Sequence, residues 1–236
     1  MRVVTFKIND HEVSGRDDET ILKVARDHDT NIPTLCQLDG ISVWGGCRLC
    51  LVEIEGNPKL MTACTTTVTE GMAVRTQSER LDRYRRMIVE MLFTEGNHVC
   101  SVCVSNGNCE LQTTAQVLRI DHISLPYRNP QRHVDASHER FVFDENRCIL
   151  CTRCIRVCDE VEGAHTWDMS GRGIQSKLVT DLHQVWGDST SCTSCGKCVQ
   201  VCPTGALFEK GKAAGEMHKY PEFLVYLSQM REERHE

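Results

Sequence analysis

The run Cys148-x2-Cys151-x2-Cys154-x3-Cys158 returns 44 residues later as Cys192-x2-Cys195-x2-Cys198-x3-Cys202, followed by Pro203. Three cysteines spaced two residues apart can reach three corners of one iron-sulfur cubane, and the fourth, at the start of the next helix, is aimed at the cluster of the other half. The ligands are therefore expected to cross. Cys148, Cys151, Cys154 and Cys202 are expected on one [4Fe-4S] cluster, and Cys192, Cys195, Cys198 and Cys158 on a second. Zinc is the competing reading, but a closed tetrahedral site uses two separated C-x2-C pairs and gives a third cysteine in the same loop no task. Asp159 stands where the second half has Pro203, which affects the turn rather than the ligands.

Two further groups complete the set of 15 cysteines. Cys36-x10-Cys47-x2-Cys50-x13-Cys64 has an early ligand, a C-x2-C loop and a distant fourth ligand, the character of a [2Fe-2S] site, although plant-type ferredoxins use x4 for the first gap. Gly45 and Gly46 carry no side chains to keep backbone N–H groups away from the sulfurs. A zinc ribbon is the alternative here. The middle group, Cys100-x2-Cys103-x5-Cys109, has only three members, which leaves the chain one ligand short of sixteen. Histidine replaces cysteine in Rieske centres, and His98, two residues before Cys100, is the nearest candidate for the fourth position of a third [4Fe-4S] cluster. The bland alternative is an exposed histidine beside a three-cysteine cluster. The other nine histidines show no comparable placement. A neutral imidazole in place of a thiolate makes a cluster less negative and raises its potential.

Positioning these ligands falls to short elements. VVTFKI alternates as a strand, HEVSG follows as a second, and a helix is expected from about Glu19, with Ile21, Val24, Ala25 and His28 on one face and Pro33 closing it. Strands are expected at Leu51 to Glu55 and Met72 to Thr76, giving a small mixed sheet with a helix across it. Ser78 caps a second helix whose stripe is Leu81, Tyr84, Ile88, Met91 and Leu92, with Gly96 as its stop. Arg80, Arg83, Arg85 and Arg86 read as the solvated face of that helix. Arg147, Arg153 and Arg156 sit among the ligands, where they could offset cluster charge. Pro126 to Ser137 reads as a linker, and the stretch after Lys210, ending in MREERHE, as a docking helix or frayed tail. The expected domains are 1–77, 78–138, 139–210 and a tail, 211–236.

Composition narrows the class. The first residues lack a basic n-region followed by an apolar run, so a reducing, cytoplasmic compartment is expected, where clustered cysteines bind metal rather than pair. No stretch reaches the ~18 apolar residues of a membrane span. The hydrophobic fraction is 40% with its 15 cysteines included, leaving a modest ordinary core that metal must help to hold. A net charge of -6, made more negative by thiolate-ligated clusters, argues against a nucleic-acid partner. SGRGI at 170–174 lacks the third glycine and the strand-helix setting of a dinucleotide fingerprint. The residues point to electron transfer without a substrate site.

TLCQLDG, GGCRLCLVE, NHVCSVCVSNGNCELQ, NRCILCTRCIRVCDE and TSCGKCVQVCPTGAL together resemble an N-terminal iron-sulfur module. That module is shared by the large peripheral subunit of respiratory complex I, by iron-only hydrogenases and by the diaphorase iron-sulfur subunit of bidirectional NAD-linked nickel-iron hydrogenases. The resemblance covers nearly the whole chain, and the length and the wording EGNHVC are most similar to the last of these. It implies an α+β fold: an N-terminal β-grasp [2Fe-2S] ferredoxin-like domain, a small helical His/Cys3 domain, and a C-terminal ferredoxin-like domain with two [4Fe-4S] clusters. One [2Fe-2S] and three [4Fe-4S] clusters follow. The implied partners are a flavin- and NAD-binding diaphorase subunit, a small iron-sulfur hydrogenase subunit and a nickel-iron large subunit. The wider family places its histidine four residues before the first cysteine of the middle site, where this chain has Gly96.

Overall fold

In the computed structural model, which describes residues 1–232, the chain opens with an antiparallel hairpin of β1 (Val3–Ile8) and β2 (His11–Arg16). The alternation in VVTFKI puts Val4, Phe6 and Ile8 inside. Helix α1 (Ile21–Asp27) begins at Thr20, whose side chain accepts a hydrogen bond from the Lys23 amide. It lays Ile21, Leu22, Val24 and Ala25 on the strands, burying the apolar stripe that keeps so short a helix in place. β3 (Leu51–Ile54), β4 (Asn57–Thr62) and β5 (Ala73–Arg75) complete a sheet of order β2-β1-β5-β3-β4, with β1 and β5 parallel. β4 had no clear strand signal, because it starts with Asn57-Pro58. Proline is tolerated at a sheet edge, and β4 is an edge strand.

Helix α2 (Glu79–Glu95) starts where Ser78 Oγ accepts from the Leu81 amide at 3.2 Å. Leu81 and Val89 are buried and Ile88 and Leu92 half-buried, whereas Met91 stays exposed. Two arginines depart from the solvated-face reading. Arg85 is buried, donating from Nε to the Leu49 carbonyl (3.1 Å) and from Nη2 to the Leu51 carbonyl (2.7 Å). Arg86 reaches the Leu118 and Arg119 carbonyls; only Arg80 and Arg83 remain at the surface. Cysteine-bearing loops and helix ends leave carbonyls without ladder partners, and a buried guanidinium with five donors satisfies them. α3 (Glu110–Val117) begins directly after Cys109 and packs Leu111 and Ala115 in the same core as Val89.

Pro126 to Ser137 is irregular apart from the two-residue β6 (Val134–Asp135), which pairs with β7 (Phe141–Asp144) in a sheet of order β10-β7-β6; β10 is Leu207–Glu209. β8 (Trp167–Ser170) and β9 (Lys177–Thr180) form a separate hairpin. The repeat is visible in α4 (Arg153–Arg156) and α5 (Lys197–Gln200), each entered through a left-handed residue, Thr152 (φ 61) and Gly196 (φ 75). Cys158 lies in a π-helical turn continuous with α4, and Cys202 just past α5, so each fourth cysteine ends its own helix rather than starting the next. The tail contributes to this core: Met217 and Leu224, the latter on α6 (Phe223–Glu232), are buried in it. The end of the charged stretch, residues 233–236, lies outside the described residues. Among the described residues, no helix is long and apolar enough to cross a membrane.

Candidate metal centres

Cys36, Cys47, Cys50 and Cys64 lie in the loops that leave the N-terminal sheet, and three of them are fully buried. Their sulfurs come in pairs: the Cys36 and Cys47 side chains hydrogen-bond, and the Cys50 and Cys64 sulfurs are 3.3 Å apart. Two pairs of thiols are what two irons need. Backbone N–H groups surround them, Leu35 donating to Cys47 Sγ at 3.5 Å, with Leu49 on Cys47 and Gly46 on Cys36. The bond from Cys36 and these amides hold Cys47 down, to about 5, while Cys36 and Cys64 are pushed up by their sulfur neighbours and by burial.

The middle site forms where α2 ends and α3 begins. A cavity is lined by His98, Cys100, Cys103 and Cys109, with Phe93, Arg147 and Gly205 among its walls. His98 Nε2 is buried and has no hydrogen-bond partner among the described residues. Its ring bonds the Leu92 carbonyl, which therefore falls to Nδ1–H and leaves the Nε2 lone pair free toward the cysteines. Burial, with help from the Arg147 charge, lowers its pKa to about 4, so the imidazole is neutral at ordinary pH. An orphaned buried nitrogen beside three thiols is the donor set expected for a fourth ligand to a metal cluster. Gly96, at the wider family's histidine position, instead passes so close to the Asn146 carbonyl and His98 Nε2 that a Cβ there would collide with both.

The repeat makes two cavities. One is lined by Cys148, Cys151, Cys154 and Cys202; the other by Cys192, Cys195, Cys198 and Cys158. Each fourth cysteine thus comes from the opposite half. Burial raises four of these thiols, Cys151 to about 11 and Cys148, Cys154 and Cys198 further, whereas Cys202, although buried, is held down by the Lys219 charge and the Thr204 and Leu207 backbone; the four raised thiols need a cation beside them to ionise. Among the described residues, no group of three or more His, Cys, Asp or Glu side chains is arranged to hold a single metal ion.

Several residues at these sites were not legible as such. Trp186 Nε1 donates to Cys192 Sγ at 3.3 Å, and Leu150 N to Cys148 Sγ at 3.4 Å. His138 is a second histidine at a cysteine site: its Nδ1 accepts from the Arg140 and Phe141 amides, leaving Nε2 to face Ser194 Oγ (3.1 Å) and Cys192 Sγ (3.8 Å). It stands 54 residues from Cys192, and no spacing signal announced it. Arg153, 2% exposed, holds Glu110 in a two-pronged pair at 2.6 and 2.8 Å and donates to the Gln37 carbonyl at 3.1 Å, tying α4 to the start of α3 and to the loop that carries Cys36.

Comparison with known proteins matches three stretches of the chain. Residues 1–79 match the 2Fe-2S iron-sulfur cluster binding domain, 85–124 the NADH-ubiquinone oxidoreductase-G iron-sulfur binding region, and 140–208 the ferredoxin-like domain of NADH-quinone oxidoreductase subunit 3. The alpha subunit of the NADPH-Fe(3+) oxidoreductase of Geobacter sulfurreducens is 36% identical over 88% of this chain, which spans only 24% of that relative's length. The gamma subunit of the NAD-reducing hydrogenase HoxS of Cupriavidus necator is 32% identical over 88% of this chain and 87% of its own. A chain in the crystal structure of an NAD+-reducing [NiFe]-hydrogenase in the H2-reduced state superposes with a TM-score of 0.83, at 34% identity, over 89% of this chain and 88% of that one.

Proposed function

The chain belongs to the family of NAD-reducing hydrogenase gamma subunits, and from that premise we propose that it is the electron-transfer subunit of a bidirectional NAD-linked hydrogenase. In this reading it relays single electrons between a flavin- and NAD-binding diaphorase subunit and the small iron-sulfur and nickel-iron large subunits, in the cytoplasm. The observation that carries it is the sorting of all 15 cysteines, together with His98, into four separate donor sets. One [2Fe-2S] cluster is held by Cys36, Cys47, Cys50 and Cys64 in a β-grasp domain (1–77). Three [4Fe-4S] clusters are held by His98, Cys100, Cys103 and Cys109 in a helical domain (78–138), by Cys148, Cys151, Cys154 and Cys202, and by Cys192, Cys195, Cys198 and Cys158 in a two-cluster domain (139–210).

Clusters of these types exchange one electron at a time, whereas NAD(H) carries two as hydride, so a flavin partner must divide the pair. The chain's own residues bury most of the cysteines, Cys195 being exposed, and present N–H donors to several of their sulfurs. Buried donors favour the more negative, reduced state of each site.

Purification of the native assembly tests the reading. Nickel, flavin and hydrogen-dependent NAD reduction are expected together, and an assembly without nickel or hydrogen-dependent activity refutes it. A second reading, an iron-sulfur subunit of another NAD-linked complex such as a formate dehydrogenase or a complex I relative, draws on the matches at 85–124 and 140–208. The same purification separates the two. His98→Ala is expected to abolish or shift one electron paramagnetic resonance signal, and four unchanged signals would remove His98 from the ligand set.

A further inference from the structure

Arg156 is buried on α4 between Cys154 and Cys158. Its Nη2 donates to the carbonyls of Cys36 (2.6 Å) and Cys151 (3.2 Å), its Nη1 to the Ser42 carbonyl, and its Nε to Thr152 Oγ1 (3.2 Å). Cys36 and Cys151 are ligands of different proposed clusters, so a single nitrogen touches the backbone of both sites.

The four acceptors are uncharged, which sets Arg156 apart from its neighbour. Arg153, three residues earlier on the same helix, is neutralised by Glu110 at 2.6 and 2.8 Å. Among the described residues, Arg156 makes no ion pair. Glu160, the carboxylate whose charge it feels most, has its oxygens on the amide and hydroxyl of Ser42. A buried guanidinium stays charged, and burying it unpaired is costly unless anions lie nearby. Thiolate-ligated clusters on either side are such anions, and each becomes more negative by one unit on reduction.

Resting on the ligand sets proposed above, we infer that Arg156 is an electrostatic bridge between the two sites: its guanidinium, bonded to the carbonyls of Cys36 and Cys151, raises the reduction potentials of the [2Fe-2S] cluster and of the Cys148/151/154/202 cluster together. No proton need accompany the electron at either site, because the counter-charge is already in place. One positioned cation thus keeps two stations of the relay in step.

The test is a redox titration of the purified complex, followed by electron paramagnetic resonance, for the native protein, R156Q and R156K. R156Q removes the charge and is expected to lower both potentials, each by about tenfold in the reduction equilibrium, which is 59 mV for one electron. The His98 and Cys192 sites are expected to move much less. R156K keeps a charge but loses the fork, and both potentials are expected to stay near native. The proposal is overturned if R156Q moves neither potential, only one, or all four alike, or if R156K falls as far as R156Q. Should R156Q fail to keep its clusters, R156K decides alone: both potentials near native support the bridge, and a fall of about 59 mV or more at either site overturns it; loss of either cluster in both variants makes Arg156 a structural clip and also overturns it. Absence of the cluster signals from the native protein would instead refute the ligand sets.

Discussion

Gly205→Ala is expected to empty one site and spare the other three. A Cβ on Gly205 would lie inside 3.0 Å of Cys103 Sγ, a separation real Cβ atoms essentially never show, and also meets Arg147 Cδ at 3.3 Å and Ser105 Cβ at 3.5 Å. The arginine can give way; a sulfur bound to iron, as proposed for Cys103, cannot. Reaching ordinary contact at 3.4 Å requires Cys103 Sγ to retreat by more than 3.4 − 3.0 = 0.4 Å, about twice the ±0.2 Å that a metal-ligand distance tolerates. Gly205 is not among the positive-φ residues, so alanine suits its backbone, and the fold should survive at an overpacking cost of about 1–3 kcal/mol. If the native chain holds the proposed one two-iron and three four-iron clusters, roughly 14 iron, the variant should hold roughly 10 and lack the signal of the His98 site. The assays are iron per chain, electron paramagnetic resonance and circular dichroism. A folded variant with its full iron and an unaltered set of four signals would refute the geometry of the middle site.

Other expectations follow from single contacts. Trp186→Phe removes the N–H donor to Cys192 Sγ at 3.3 Å and should lower the potential of the Cys192 site alone, read in the same redox titration. Glu110→Gln leaves Arg153 buried without its carboxylate; because Glu110 is half-exposed, a loss of about 1–2 kcal/mol is expected, seen as a melting temperature several degrees lower. Ser78→Ala deletes the cap on α2 and should cost about 1 kcal/mol without changing iron content.

Legibility followed sequence distance. The 44-residue repeat was readable because a cubane imposes its spacing on a single loop, and each fourth cysteine's crossing follows from the same short run. The Ser78 cap and the alternation of Val4, Phe6 and Ile8 were readable for the same reason, since each is a local pattern with a local cause. His98 emerged only from counting ligands, and its orphaned Nε2 is a tertiary fact. Arg85 looked like a surface residue because its run of arginines hides which one faces the unpaired Leu49 and Leu51 carbonyls, 36 and 34 residues away. Arg156 bonds across 120 residues to Cys36, and His138 approaches Cys192 across 54. No periodicity encodes such pairings, because they depend on how separately folded cores meet.

The most direct test of the four-site relay is iron, sulfide and zinc analysis of the anaerobically purified chain, together with spin counting after stepwise reduction. Roughly 14 iron, little zinc, and signals from one [2Fe-2S] and three [4Fe-4S] clusters are predicted. Substantial zinc with little iron, or fewer than four distinct cluster signals at full reduction, would contradict it.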